Sequence, residues 1–179
     1  TIACTNIELC EQNKELAFQL NSEFPKILIK TLKKYKQKVK IIHISTDHFY
    51  DKKGLSKESD TSINNYYSKT KLLGENVLLD FDSTIIRTNF IGKSIHVSKQ
   101  SLTDWMFNNL ENNIKFNAFN DIYFSPLSFK TLTIIIEYIF NNLNYGVYNI
   151  GSNGHISKYN LAYKFSKLFN KTHLIINSS

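Results

Sequence analysis

A tyrosine and a lysine four residues apart, Tyr67 and Lys71, form the pair within residues 64–77 (NNYYSKTKLLGENV) whose spacing could support proton transfer. Residues at i and i+4 lie on one face of a helix, so the ammonium could sit beside the phenol and favour its ionised form. Tyr66 has Thr70 at that spacing instead. A tyrosine tuned in this way could exchange a proton near neutral pH. The same spacing also arises by chance in lysine-rich helices, so the pattern alone equally fits an ordinary helix start.

Alternating helix and strand patterns surround this pair and must position it. Apolar residues at helical spacing predict a helix over 14–35, with a kink or restart at Pro25. Short β-branched runs at 39–45 and 83–90 predict buried strands on either side of a helix at 64–79. Later helices are predicted near 101–112, 128–142 and 158–168, and later strands at 114–119, 146–151 and 172–176. This alternation favours an α/β fold with a doubly wound parallel sheet.

Polar residues follow the first two of these strands, at the point where each strand ends. In an open parallel sheet, ligands bind beyond the carboxyl ends of the strands. Thr46 and Asp47 leave the first strand there, and Tyr67 and Lys71 begin the next helix. This order of residues would be a workable arrangement for the reduction of a carbonyl group. Thr46 would hold the carbonyl oxygen, Tyr67 would give the proton while a hydride attacks the carbon, and Lys71 would tune Tyr67.

Length and composition predict a single globular domain and exclude a membrane span. The chain has 179 residues, of which 42% are hydrophobic, enough to bury one core. The longest apolar stretch, TLTIIIEYIF at 131–140, is interrupted by Glu137 and is too short to cross a bilayer. Residues 1–10 lack the basic and apolar regions of a secretory signal. We therefore expect no membrane partner and a cytoplasmic location.

The net charge of +7 does not by itself indicate a nucleic-acid-binding site, and the two cysteines do not indicate a metal site. The densest basic run, KTLKKYKQKVK at 30–40, includes Tyr35 as its single aromatic residue and fits the solvated end of a helix. Cys4 and Cys10 lack CxxC spacing and have no histidine nearby, so they are predicted to be free thiols. We expect no nucleic-acid partner and no metal site.

Five segments occur in register over nearly the whole chain and resemble one superfamily. They are ISTDHFYD, YSKTKLLGE, IIRTNFIG, YFSP and GVYNIGSNGHIS. Together they resemble the extended short-chain dehydrogenase/reductase superfamily, and within it the dTDP-4-dehydrorhamnose reductase group. The resemblance implies an N-terminally incomplete Rossmann-type sheet and reduction of a 4-keto nucleotide sugar, with NADPH or NADH as cofactor, in nucleotide-sugar and polysaccharide biosynthesis.

The resemblance also implies a role for individual positions and for each part of the chain. Residues 1–92 would form the C-terminal part of the NAD(P)-binding domain, and residues 93–179 a substrate-binding region with the remaining sheet elements. Lys71 would also reach the ribose of the nicotinamide nucleotide. The implied catalytic residues are Thr46, Tyr67 and Lys71, the implied cofactor contacts are Ala3, Cys4, Tyr67 and Lys71, and the implied sugar contacts are Asp47, His48, Asn89 and Phe90.

The glycines that seat a dinucleotide pyrophosphate do not occur in this sequence, since none of the six glycines forms G-x-G-x-x-G. The likeness begins within the fourth strand of the usual fold, and we expect about 60 further residues upstream, the length of two βαβ-type units. The alternative is a non-catalytic binding or regulatory protein that resembles the regulatory subunit of methionine adenosyltransferase. The missing glycines favour that alternative, whereas Thr46, Tyr67 and Lys71 favour the enzyme. The sequence leaves open the sugar, the choice of cofactor and the oligomeric state, with a homodimer as one candidate.

Overall fold

Helices and strands alternate along the computed structural model of the protein, which describes residues 2–50, 54–95, 100–142 and 145–179. The helices are α1 (Ile7–Gln12), α2 (Lys14–Phe18), α3 (Phe24–Lys34), α4 (Tyr66–Leu79), α5 (Leu102–Glu111), α6 (Phe129–Asn142) and α7 (Lys158–Leu168). The strands are β1 (Ile41–Ile44), β2 (Ser83–Arg87), β3 (Phe90–Ile91), β4 (Phe116–Phe119), β5 (Tyr123–Phe124), β6 (Leu127–Ser128), β7 (Gly146–Asn149), β8 (Ile156–Ser157) and β9 (Ile175–Ser178). A π-helical turn, Gln19–Glu23, joins α2 to α3.

The order of elements confirms the predicted α/β alternation. Each predicted helix and each of the longer predicted strands is present, with ends that differ by a few residues. The predicted helix over 14–35 is divided in two by the π-helical turn, and Pro25 lies in the first turn of α3. Helix α1 and the two-residue strands were not predicted, because they are too short for a periodic pattern.

The chain forms two compact units, Thr1–Thr88 with Ile136–Ile150, and Asn89–Ile135 with Gly151–Ser179. The sequence predicted a single domain whose two parts meet near residue 92. The structure differs in that residues 136–150 return to the first unit, because they carry β7, the third strand of its sheet. Each unit has its own core.

The first unit contains a parallel sheet in the order β1-β2-β7. The central strand β2 is buried along its whole length, as expected of a parallel strand covered on both faces. Its Ile85 packs with Ile29 of α3 and Leu78 of α4, which places both helices against the sheet. The Rossmann-type arrangement predicted from the sequence is therefore present in this unit.

Helix α4 lies unusually close to the π-helical turn. A Cβ atom on Gly74 would overlap the backbone carbonyl of Asn21, so this contact requires glycine. Ser22 donates a hydrogen bond to the carbonyl oxygen of Thr70 at 2.8 Å, and Asn21 donates to the Thr70 hydroxyl at 3.0 Å. The turn thus fixes the helix that carries Tyr67.

The second unit is built from three pairs of short strands and its helices. Strands β3 and β6 pair in parallel, as do β4 and β9, whereas β5 and β8 are antiparallel. The core lies between α5, β4 and α7, where Met106, Leu110, Phe116 and Leu161 are buried together.

Candidate active site

The first two turns of α4 place Tyr67 and Lys71 in the interior of the first unit. Asn65 caps the helix by accepting a hydrogen bond from the Ser68 amide at 2.8 Å, and Ser68 accepts one from the Asn65 amide at 3.4 Å. Helix α4 therefore starts one residue before Tyr67. Both Tyr67 and Lys71 are buried, with 8% and 4% of their surface exposed.

Thr46 lies beside the tyrosine, as the sequence predicts for a residue leaving the end of β1. Its side chain forms a hydrogen bond with the Tyr67 phenol. The backbone amide of His48 donates to the Thr46 hydroxyl at 3.2 Å, and the imidazole of His48 meets the Tyr67 ring edge-on with the centroids 5.8 Å apart. Thr46, His48 and Tyr67 therefore form one contiguous group.

The pKa of the Tyr67 phenol is raised above its usual value. Burial is the largest cause, because it disfavours the phenolate; the hydrogen bond from Thr46 opposes it, and Asp47 and the thiols of Cys10 and Cys4 add to the increase. The phenol is consequently protonated at neutral pH. A protonated, hydrogen-bonded phenol is the form that can donate a proton to a substrate oxygen.

Lys71 points toward β1. Its ammonium donates to the carbonyl oxygen of Ile44 at 3.0 Å, and its Nζ lies 3.4 Å from Nε2 of His43. The spacing argument expected Lys71 to favour ionisation of Tyr67, but the phenol pKa is raised and the ammonium interacts with the strand instead. Burial lowers the pKa of Lys71 to about 8, against the opposing charge of Glu75.

His43 is a part of this site that the sequence analysis missed. Burial and the charge of Lys71 lower the pKa of His43 to about 3, so the imidazole is neutral at neutral pH. The available signal was a polar residue inside the apolar strand IIHI, three residues before Thr46. Periodicity assigned that residue to the core and gave it no partner.

A buried ion pair between α4 and β2 fixes the loop that follows Thr46. Nη2 and Nε of Arg87 donate hydrogen bonds to Oε2 of Glu75, at 2.6 Å and 3.0 Å. Nε also donates to the other carboxylate oxygen of Glu75. Ser45, next to Thr46, donates to the same carboxylate. The Nη1 atom of Arg87 donates to the Glu58 carbonyl oxygen at 2.7 Å and to the Tyr50 hydroxyl at 2.9 Å. The loop is thereby bound to the end of the sheet.

The N-terminal segment approaches the same site through Cys4. The amide of Cys4 donates to the Asn21 side chain at 2.9 Å, and Asn21 donates back to the Cys4 carbonyl at 2.9 Å. Cys4 and Cys10 are buried free thiols, as predicted, with their sulfur atoms 3.4 Å apart and in a cluster with Tyr67. Ala3 lines a cavity of about 140 Å³ together with His43 and Lys71.

Asn89 and Phe90, the remaining predicted sugar contacts, belong to the second unit. The carbonyl of Asn89 accepts a hydrogen bond from the Leu127 amide at 2.9 Å. Phe90 begins β3, is 40% exposed and has its ring centroid 5.0 Å from that of Phe129. The structure thus places the other seven predicted residues in the first unit. The roles of all nine residues remain predictions.

The residues that the structure describes contain neither a candidate metal-binding cluster nor a candidate membrane-spanning helix. Within 2–50, 54–95, 100–142 and 145–179, His, Cys, Asp and Glu side chains form no group of three or more that could hold a metal ion. No helix in these ranges has the length and apolar character needed to cross a bilayer.

Known proteins resemble this chain in sequence and in fold. A family model described as the RmlD substrate binding domain matches residues 1–178. A hypothetical dTDP-4-dehydrorhamnose reductase from Sulfolobus tokodaii is 31% identical with a TM-score of 0.84, and the match covers 98% of this chain and 62% of that one. The Bacillus anthracis dTDP-4-dehydrorhamnose reductase in complex with NADP is 19% identical, with a TM-score of 0.86 and coverage of 99% and 64%. DesIV, a dTDP-glucose 4,6-dehydratase from Streptomyces venezuelae with NAD and TYD bound, is 16% identical, with a TM-score of 0.84 and coverage of 99% and 59%. No curated protein matches this chain.

The parallel sheet and these likenesses define the class as the extended short-chain dehydrogenases/reductases. Within that class, the chain belongs to the RmlD substrate binding domain family, whose model covers all but its last residue. The chain spans about 62% of the length of the Sulfolobus tokodaii protein.

Proposed function

We propose that this chain carries the catalytic residues of a reductase that uses NADPH or NADH to reduce a 4-keto nucleotide sugar. The observation that supports this proposal most directly is the group formed by Thr46, Tyr67 and Lys71 at the end of β1. The Tyr67 phenol is buried, protonated and hydrogen-bonded to Thr46. Such a hydroxyl pair is suited to bind a carbonyl oxygen and to protonate it.

The proposed reaction assigns one task to each of these side chains. The hydroxyl groups of Thr46 and Tyr67 donate hydrogen bonds to the keto oxygen of the sugar and orient it. As negative charge develops on that oxygen, the Tyr67 phenol transfers its proton to it. The positive charge of Lys71 and the Thr46 hydroxyl then stabilise the phenolate that remains. The nicotinamide cofactor, when bound, supplies the hydride that reduces the carbonyl carbon.

The residues around Lys71 fit the nicotinamide end of such a cofactor. The cavity of about 140 Å³ beside Lys71 is lined on one side by the small side chain of Ala3. The Lys71 pKa of about 8 leaves the ammonium mostly charged at neutral pH, so it can donate hydrogen bonds to ribose hydroxyl groups. Ala3 and Cys4 are proposed to contact the cofactor at this position.

The sugar is proposed to be held by residues that follow the strand ends. Asp47 and His48 come directly after Thr46, and His48 already contacts the Tyr67 ring. Asn89 and Phe90 are proposed to contribute from the segment after β2. Residues 1–92 would then supply cofactor and catalytic contacts, and residues 93–179 most of the substrate region.

The test compares Tyr67→Phe with the matched control Tyr66→Phe in the natural full-length protein. Turnover is measured as NADPH oxidation with a dTDP-linked 4-keto-6-deoxy sugar, and cofactor binding by calorimetry. We expect Tyr67→Phe to lower kcat by roughly 10²–10⁴-fold, the usual contribution of a positioned acid, with little change in cofactor Kd. Tyr66→Phe should retain normal turnover, because the Tyr66 ring packs against the ammonium groups of Lys14 and Lys69 instead.

Full turnover by Tyr67→Phe would contradict the proposed mechanism. Tight cofactor binding by the unmodified protein without turnover of any keto sugar would instead favour the alternative, a non-catalytic binding or regulatory protein of the same fold.

A further inference from the structure

The imidazole of His43 lies beside the buried ammonium group of Lys71. Lys71 is 4% exposed, and within the described part of the chain its ammonium has two hydrogen-bonding neighbours, the Ile44 carbonyl and Nε2 of His43. Both neighbours lie on β1. A buried ammonium has three N–H groups to satisfy, so the loss of either acceptor would leave a costly unpaired donor.

His43 can serve as an acceptor because it is neutral. An imidazolium 3.4 Å from an ammonium would place two positive charges in contact, and the partial burial of His43 adds to that cost. The pKa of His43 is lowered to about 3 by burial and by Lys71. A neutral imidazole with its single proton on Nδ1 would present the lone pair of Nε2 to the ammonium 3.4 Å away.

The other ionisable groups around Lys71 do not replace this contact. On its own helix, the charge of Glu75 raises the pKa of Lys71, but the Glu75 carboxylate is hydrogen-bonded to Arg87 of β2, and Tyr67 faces Thr46. On the N-terminal segment, the ionisable groups that cluster with Tyr67 are the thiols of Cys4 and Cys10, and Asp47 acts on Tyr67 from the loop after β1. From β1 itself, the ionisable group that faces Lys71 is His43.

We propose that His43 is a positioning residue for Lys71: its neutral Nε2 atom accepts a hydrogen bond from the ammonium, which keeps the lysine charged and directed into the cavity that both residues line. This inference rests on the proposed reductase function for its catalytic meaning. The contact itself and its effect on Lys71 are independent of that function. A histidine that only filled the core would have no such effect.

The test replaces His43 in two ways in the natural full-length protein. His43→Leu removes the acceptor, and His43→Gln keeps one. We expect His43→Leu to shift the titration of Lys71 to lower pH by about one unit, a tenfold change in its protonation equilibrium. His43→Gln should shift it much less. Ile42→Val, a neighbouring cavity residue without a hydrogen bond to Lys71, controls for a change in packing alone.

The titration is read by carbon-13 NMR of labelled lysine, with Lys71→Arg used to assign the signal, and by the basic limb of the pH profile of kcat/KM. Both readouts should move together in His43→Leu. An unchanged lysine titration in His43→Leu, or equal shifts in all three variants, would overturn the proposal. Because the NMR signal does not require turnover, an inactive protein would count against the proposed function alone.

Nitrogen-15 NMR of the unmodified protein provides a second measurement that does not depend on whether the variants fold. The proposal requires an unprotonated Nε2 and a protonated Nδ1 in His43 from about pH 5 to pH 7, where Lys71 is charged. An Nε2–H tautomer, or an imidazolium in that range, would refute it.

Discussion

Removal of Arg87 tests whether the buried ion pair organises the loop that follows Thr46. Arg87 and Glu75 have side chains that are 5% and 1% exposed, so neither charge is solvated by bulk water. Arg87→Leu removes the hydrogen bonds to the Glu75 carboxylate, the Tyr50 hydroxyl and the Glu58 carbonyl. The Glu75 carboxylate then keeps the Ser45 hydroxyl as a partner and the Lys71 ammonium as a nearby charge, but it loses the guanidinium that is bonded to it directly.

The expected cost follows from that burial. Removing one member of a buried ion pair typically lowers the free energy of unfolding by about 3–5 kcal/mol, because an uncompensated charge remains. Against a total of about 5–15 kcal/mol for a typical domain, such a loss would be easily measured. The double variant Arg87→Leu/Glu75→Leu removes both charges and should be more stable than Arg87→Leu by at least about 1 kcal/mol.

The assay is urea denaturation followed by circular dichroism, with a control at the surface. Lys26 and Glu23 form an ion pair 3.4 Å long whose side chains are 62% and 35% exposed. Lys26→Ala should change the free energy of unfolding by at most about 1 kcal/mol. If Arg87→Leu cost no more than Lys26→Ala, or if the double variant were less stable than Arg87→Leu, the assignment of a buried, charge-compensated network would be refuted.

Two further substitutions probe the support of Tyr67. Thr46→Val should lower kcat by at least tenfold, whereas Thr46→Ser should retain most of it, because the hydroxyl and not the methyl group bonds the phenol. Turnover is measured with the keto sugar. Equal turnover in both variants would exclude a role for that hydroxyl. Gly74→Ala should lower the free energy of unfolding by about 1–3 kcal/mol, since the added methyl group overlaps the Asn21 carbonyl; an unchanged denaturation midpoint would show that α4 can move away from the π-helical turn at little cost.

The parts of the fold that the sequence predicts well are those encoded by local patterns. The strand IIHI and the helix that Asn65 caps are confirmed, because β-branched runs and a capping residue act over a few neighbouring positions. The family resemblance then supplied the Rossmann-type arrangement of the sheet. Local patterns could not indicate that residues 136–150 rejoin the first unit, since that depends on long-range pairing of β7 with β2.

The π-helical turn shows a second limit of pattern reading. Residues 14–35 have one continuous helical stripe, yet the turn at Gln19–Glu23 directs Asn21 and Ser22 toward Thr70. Its benefit comes from hydrogen bonds to α4, nearly 50 residues away along the chain. The spacing of apolar residues does not indicate the stabilisation that these hydrogen bonds provide.

The orientation of Lys71 was the main property of the site that spacing could not give. The i and i+4 relation sets the face of α4 on which Tyr67 and Lys71 lie, but a lysine side chain is long enough to reach several acceptors. In this chain the Ile44 carbonyl and His43 hold the ammonium against β1, while burial keeps the Tyr67 phenol protonated. In the proposed reaction, Tyr67 would keep its proton until negative charge develops on a bound oxygen. The proposed role of Lys71 is then to stabilise the phenolate that proton transfer would leave, and not to ionise the resting tyrosine.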